Sequence, residues 1–360
     1  MPKNFNIETV LVAPLDWGLG HATRCIPIIR GLLSNGFKVI LAAEGVQASL
    51  LNTEFPNLLI LPLVGYRVRY SNKKSMLPFT ILQQLPRLYI TIKKEGSWLQ
   101  KVIKEHKIDL VISDNRYGLS TPLIPCIFIT HQLTIKAPFR WLENLLQKIN
   151  YRYVNQFTAC WVPDVAGEKN AAGLLSHPNL LPHTKVHYLG LLSRFQLLPT
   201  SKKYDYCILL SGPEPQRTFL EKKLLLGMDL IKGSIIFVRG KPGSNEYVEV
   251  PKNVTIKNHL PGNELQAAIL QSEYIISRSG YTTVMELLSL QKKAILIPTP
   301  GQTEQEWLAD WLQKLNLFIT VAQADFDLAK SINIAASFSF ETLFLPVFKE
   351  NQIYELLDSL

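Results

Sequence analysis

Residues 9–24, Thr-Val-Leu-Val-Ala-Pro-Leu-Asp-Trp-Gly-Leu-Gly-His-Ala-Thr-Arg, decide the fold. Thr9–Pro14 is a short β-branched apolar run, and Gly18 and Gly20 punctuate the loop behind it. Helical spacing follows over 22–34, Asn35-Gly36 ends it, and Lys38–Ala43 is a second apolar run. Strand, glycine loop, helix and strand in that order open a βαβ unit. Strand-like segments recur at 58–63, 110–113, 125–130 and 159–163. The rhythm breaks over 189–203 and restarts at 206–210, 234–238, 274–277 and 294–298. Alternation of this kind means parallel sheets covered on both faces. The sequence therefore predicts an α/β protein of two Rossmann-like doubly wound domains, 1–195 and 196–340. The segment 341–360 has helix-like apolar spacing and is expected to pack back on the first domain.

Composition bounds the rest. With 360 residues, 47% hydrophobic and 19% charged, the chain can bury a sizeable core, which excludes disordered, collagen-like and disulfide-miniprotein classes. Cys25, Cys126, Cys160 and Cys207 form no CxxC pair, so they read as buried apolar residues in a reducing cytosol. No run approaches the roughly 18 uninterrupted apolar residues of a spanning helix. The first residues carry Glu8, Pro14 and Asp16 and do not read as a signal peptide. A cytoplasmic protein is expected, touching a membrane from one side if at all.

The charge is lopsided. Residues 1–200 hold 22 Lys+Arg against 11 Asp+Glu, and the remainder 16 against 18, so the net +9 belongs to the first half. Segment 66–107 concentrates it, with Arg67, Arg69, Lys73, Lys74, Arg87, Lys93, Lys94, Lys101, Lys104 and Lys107 against Glu95 and Glu105, interleaved with Tyr70, Phe79, Tyr89 and Trp98. Such a stretch suits an anionic membrane surface or a polyanionic acceptor; a solvated helix face is the other reading. Zinc-finger spacing and RRM aromatics are missing, so nucleic acid is not an expected partner.

Open parallel sheets bind ligands at the carboxyl ends of their strands. After the first strand come Gly18, Gly20 and His21. Thr23 stands where a dinucleotide fingerprint needs its third glycine, which argues against a nicotinamide dehydrogenase. His21 opens a helix at a strand end, where an imidazole can serve proton transfer or merely cap. Asp114, at the end of LVIS, can orient that imidazole or cap its own turn. Asn115, His131 and Gln132 can line the same mouth. In the second half, Ser211-Gly212 and Ser277-Arg278-Ser279-Gly280 are small-residue turns opening helices, whose free amides attract phosphate. Glu286 lies about 9 Å along the helix from Gly280, within reach of ribose hydroxyls.

In these motifs the chain resembles the GT-B glycosyltransferases, in particular family 28, which includes the MurG-type N-acetylglucosaminyltransferases and plastid galactolipid synthases. Ser279, Gly280, Thr283 and Glu286, preceded by Arg278, meet the family's SxSGxxTxxE signature. Pro298 through Gln305 correspond to its proline-rich strand end and Gln-containing helix, and Ala309 to its final Ala; Gly18, Gly20 and His21 meet its GxGH. Thr303, Glu304 and Leu308 depart from the family pattern.

The resemblance implies two domains facing across a cleft and an inverting transfer from a nucleotide-diphosphate sugar, UDP-linked, to an acceptor hydroxyl of a glycan or glycolipid. It implies His21 as base with Asp114 behind it and Gly18, Gly20, Asn115 and His131 on the acceptor side. Glu286 and Thr283 would hold the ribose side of the donor. Ser211, Gly212, Arg278, Ser279 and Gly280 would hold the diphosphate, His259 and Leu260 the base, and Gln302 and Gln305 the sugar. No metal or other cofactor is expected. Asp325-Phe326-Asp327 imitates a metal-binding DxD but sits past the donor motifs near a helix start. Two other functions fit the same architecture: a nucleotide-sugar 2-epimerase, which needs carboxylates beyond Asp16, Asp114 and Glu304, and a non-catalytic nucleotide- or glycolipid-binding protein.

Overall fold

The computed structural model describes residues 7–67, 77–137 and 139–360, without the side chains of 77–83 and 85. The chain divides into two compact units, Met1–Arg194 with Pro346–Leu360, and Phe195–Leu345.

The first unit runs β1 (Thr9–Pro14), α1 (Leu19–Ser34), β2 (Lys38–Ala43), α2 (Gly45–Glu54), β3 (Leu59–Pro62), α3 (Leu77–His106), β4 (Leu110–Asp114), β5 (Cys126–Ile129), α4 (Arg140–Val154), β6 (Ala159–Val162) and β7 (Lys185–Tyr188). Its seven strands form a parallel sheet in the order β3-β2-β1-β4-β5-β6-β7. Every residue of β1 is buried, as a near-continuous apolar run covered on both faces requires. On one face Ala22, Cys25, Ile29 and Leu32, one helical stripe of α1, meet Val10, Val12 and Ile112. On the other, Leu99 and Val102 of α3 meet Val111 and Phe128. Gly18 caps α1 at φ +74°, a left-handed conformation that glycine adopts without steric cost.

The second unit runs β8 (Tyr204–Leu209), α5 (Gln216–Gly227), β9 (Ile235–Val238), β10 (Val254–Lys257), α6 (Gly262–Leu270), β11 (Ser272–Ser277), α7 (Tyr281–Ser289), β12 (Lys293–Leu296), α8 (Thr303–Lys314), β13 (Ile319–Thr320) and α9 (Leu328–Ser337). Its parallel sheet is ordered β10-β9-β8-β11-β12-β13. The chain re-enters the first unit at Pro346. There Val347 bridges Leu191, and α10 (Gln352–Asp358) buries Ile353 and Leu357 in the cluster that holds Leu32.

The architecture is the doubly wound α/β pair expected from the sequence. The sequence reading did not name β7 and β13. β7 is a half-exposed edge strand and β13 only two residues long, so neither carries a continuous apolar run.

In each sheet the winding reverses direction beside the first strand, between β1 and β4 and between β8 and β11. Such switch points open crevices at the strands' carboxyl ends. Pro14 pairs with Asp114 at one, and Leu209 with Ser277 at the other.

Candidate functional site

Asp114 is the fully buried last residue of β4, and His21 lies in the first turn of α1. His21 Nδ1 is 3.0 Å from Asp114 Oδ2. Arg24 follows one helical turn later on the same face. Its Nε donates to Asp114 Oδ2 at 2.9 Å and its Nη2 to Asp114 Oδ1. The same Nη2 lies 2.9 Å from His21 Nδ1, and Nη1 lies 2.6 Å from His131 Nδ1. The sequence reading gave Arg24 no role. Its signal was a cation amid an otherwise apolar helical stripe, three residues after His21.

Burial pushes the His21 imidazole below its ordinary range, and the Arg24 charge pushes the same way against Asp114. Burial works to raise the Asp114 carboxyl, but Arg24 and His21 outweigh it and hold it down at about 2. At neutral pH the pair is a neutral imidazole backed by a carboxylate, able to accept a proton at Nε2 when Nδ1 carries the other.

A second buried ion pair fixes the loop behind Asp114. Arg116 Nε donates to Glu95 Oε1 of α3 at 2.8 Å, while Nη1 reaches Pro14 O at 3.2 Å and Nη2 Val64 O at 2.5 Å. Glu95 Oε2 also accepts from Tyr66 Oη and the Gly118 amide. Gly118 lets the loop lie against α3: a Cβ there would stand 2.3 Å from Ile92 O. Asn115 holds φ +56°, with its amide donating to Ile129 O at 3.1 Å. Asp16 accepts from the amides of Tyr66 and Arg67, so its carboxylate caps that turn.

In the second unit, Ser211 and Gly212 follow β8, Arg278 to Gly280 follow β11, residues 298–305 follow β12, and His259 and Leu260 follow β10. All sit at carboxyl ends of one sheet, and a Cβ at Gly212 would stand 3.7 Å from Thr299 Oγ1. Gly280 caps α7, with Thr283 in its first turn and Glu286 buried farther along. Gln305 Oε1 accepts from the Thr299 amide at 2.9 Å, and its Nε2 donates to Gln302 Oε1. Both glutamine side chains thus pin the turn, and Ser279 Oγ donates to Gln305 O. His259 is exposed and Leu260 buried.

Arg278 differs from the other buried arginines among the described residues. Arg24, Arg116, Arg217 and Arg239 each bond a carboxylate. Arg278, 1% exposed, donates Nη1 to the carbonyls of Ile297 and Pro298 and Nη2 to that of Gln216, while its buried Nε has no partner. Burial pushes it down to about 10, which leaves it charged at neutral pH. A buried cation without a counter-charge is costly. Placed beside the α7 N-terminus, it is suited to an anion.

Residues 239–337 match the Glycosyltransferase family 28 C-terminal domain. The chain is similar to family 28 over that stretch, which contains Arg278, the α7 cap and Gln305. Over 318 residues the chain is 26% identical to an uncharacterized glycosyltransferase of Methanosarcina mazei, covering 80% of this chain and 79% of that one. Over 80 residues it is 38% identical to the UDP-N-acetylglucosamine--N-acetylmuramyl-(pentapeptide) pyrophosphoryl-undecaprenol N-acetylglucosamine transferase of Rhodopseudomonas palustris, 21% of either chain. Among solved structures, spinosyn rhamnosyltransferase SpnG complexed with thymidine diphosphate superposes with a TM-score of 0.63 at 14% identity, covering 97% of this chain and all of that one. The glycosyltransferase SnogD of Streptomyces nogalater gives 0.62 at 12%, with 98% and 99% covered. At those identities the likeness is one of fold, GT-B.

Asp327 caps α9, accepting from the Lys330 amide at 2.8 Å. On α3, Lys93, Lys94, Lys101 and Lys104 lie on the exposed face with Tyr89 and Ile90, whereas Trp98 packs on the core. Arg67 pairs with Glu44 at 3.1 Å. Arg69, Tyr70, Lys73, Lys74 and the Phe79 side chain lie outside the described residues. No helix among the described residues is long and apolar enough to cross a membrane.

Proposed function

We propose that this protein is an inverting glycosyltransferase that moves a hexosyl or N-acetylhexosaminyl group from a UDP-sugar to the hydroxyl of a glycan or glycolipid acceptor. The observation that carries this reading is Arg278, a buried charge answered only by neutral carbonyls, beside a helix N-terminus inside the stretch similar to family 28. A nucleotide diphosphate supplies the missing anion. The acceptor oxygen attacks the anomeric carbon as its bond to the diphosphate breaks, His21 takes the hydroxyl proton, and Asp114 stabilises the imidazolium. Arg278 and the α7 amides receive the charge that develops on the leaving group, so the reaction needs no metal. Glu286 and Thr283 serve the ribose, His259 and Leu260 the base.

Transfer by the named relatives and the diphosphate bound to SpnG support this reading. The exposed basic face of α3 suits anionic headgroups, which would place the enzyme peripherally on the cytoplasmic face of a membrane, near a lipid-linked acceptor. Epimerisation is disfavoured because the Asp16 carboxylate is already held by two amides.

The test is a thermal-shift panel of UDP, TDP, ADP, GDP and NAD. A nucleotide at 100 times its dissociation constant adds about 2.7 kcal/mol of stability. Preference for UDP followed by acceptor-dependent UDP release supports transfer; release without an acceptor, or none with any, overturns it.

A further inference from the structure

The contacts around His21 form two incompatible hydrogen bonds at one atom. A guanidinium has only donors. If His21 Nδ1 carries a proton, it can donate to Asp114 Oδ2 but then faces an Arg24 N–H at 2.9 Å; if it carries none, it accepts from Arg24 but faces a carboxylate lone pair at 3.0 Å. Asp114, in turn, already receives two donors from the same guanidinium. His131 Nδ1 accepts from Arg24 Nη1, which assigns the His131 proton to Nε2. The charged and titratable groups facing His21 are therefore Arg24 on its own helix, Asp114 from β4 and His131 behind β5. The buried Cys25 thiol lies 3.9 Å from Asp114.

We propose that Arg24 is a positioning residue that keeps His21 neutral, by drawing the Asp114 charge to itself and setting a cationic N–H against the Nδ1–H that Asp114 accepts, which leaves Nε2 unprotonated. An unshared carboxylate stabilises an imidazolium; one shared with a fixed cation does so far less. The base thus stays ready for an acceptor proton in mildly acid conditions and gives that proton up readily after transfer. This inference rests on the proposed role of His21 as base.

The test is histidine ring NMR titration of the full chain, with His21 assigned by comparison with His21→Gln, alongside the pH profile of UDP release. In Arg24→Gln the His21 titration should move up by about one pH unit or more, since each unit reflects a tenfold change in proton affinity. The acid limb of kcat/KM should follow it. Arg24→Lys keeps the charge but loses the fork, and should lie between wild type and Arg24→Gln. A His21 titration that stays in place or falls in Arg24→Gln overturns the proposal. Should that variant fail to fold, an unmoved titration in Arg24→Lys overturns it equally. The titration reads Arg24 without turnover: a shift in a protein that transfers nothing would sink the functional reading and keep this one, while transfer with an unmoved titration would do the reverse.

Discussion

His21 and Asp114 stand 93 residues apart in the chain and 3.0 Å apart at the carboxyl ends of β1 and β4. The switch point that joins them is made by the strand order, β2-β1-β4, and a guanidinium bound to Asp114 lies 2.9 Å from His21 Nδ1.

His21→Ala should lower the rate of acceptor-dependent UDP release by about 100-fold to 10,000-fold, the usual worth of a positioned general base. Thermal stabilisation by UDP should be kept, because the groups proposed to hold the donor belong to the other unit. Initial rates measured beside UDP melting curves check both halves.

Arg278→Met and Arg116→Met should separate an anion site from a structural ion pair. Removing Arg116 strands the buried Glu95 carboxylate and should cost about 3–5 kcal/mol in denaturant unfolding. Removing Arg278 strands no charge, so the free protein should lose at most about 1–3 kcal/mol, the cost of unsatisfied carbonyls. Its UDP-dependent rise in Tm should disappear.

Stability should fall in two steps with acid. His21 binds its proton more weakly in the folded than in the unfolded protein, so stability declines as pH drops below about 6.5. Asp114 is held down at about 2 against an unfolded value of about 3.9. Its contribution is complete above that unfolded value and is lost as pH falls through the folded one. In Asp114→Asn the lower step should vanish from unfolding curves recorded against pH.

Asp327→Ala should cost about 1 kcal/mol of stability through loss of the α9 cap. Transfer should persist in that variant and in wild type with excess chelator. A chelator-sensitive rate restored by a divalent cation would contradict metal-independent transfer.

Neutralising Lys93, Lys94, Lys101 and Lys104 together should abolish co-flotation with anionic vesicles at low salt, each contact being worth about 1 kcal/mol. Transfer to a short soluble acceptor should remain. Flotation unaffected by the four substitutions would leave this face merely solvated.

The sequence by itself determined the layers and the ends where chemistry belongs. Short β-branched runs followed by glycine turns and helical stripes can satisfy their apolar faces only as parallel strands between helices, and such strands expose their carboxyl ends. That reasoning placed His21, Asp114, Ser211, Gly212 and Arg278 at strand ends. Tertiary structure alone decided what each side chain meets. Arg24 looked like a stray cation in an apolar helix until β4 put Asp114 beside it, and Glu95 looked like one acid in a basic stretch until α3 buried it on Arg116. Gln302 and Gln305 turned out to bond each other and their own turn. Periodicity is a local property of the chain and can be read along it. The partner of a buried charge is chosen by packing, which brings Arg24 to Asp114 across 90 positions and Glu95 to Arg116 across 21.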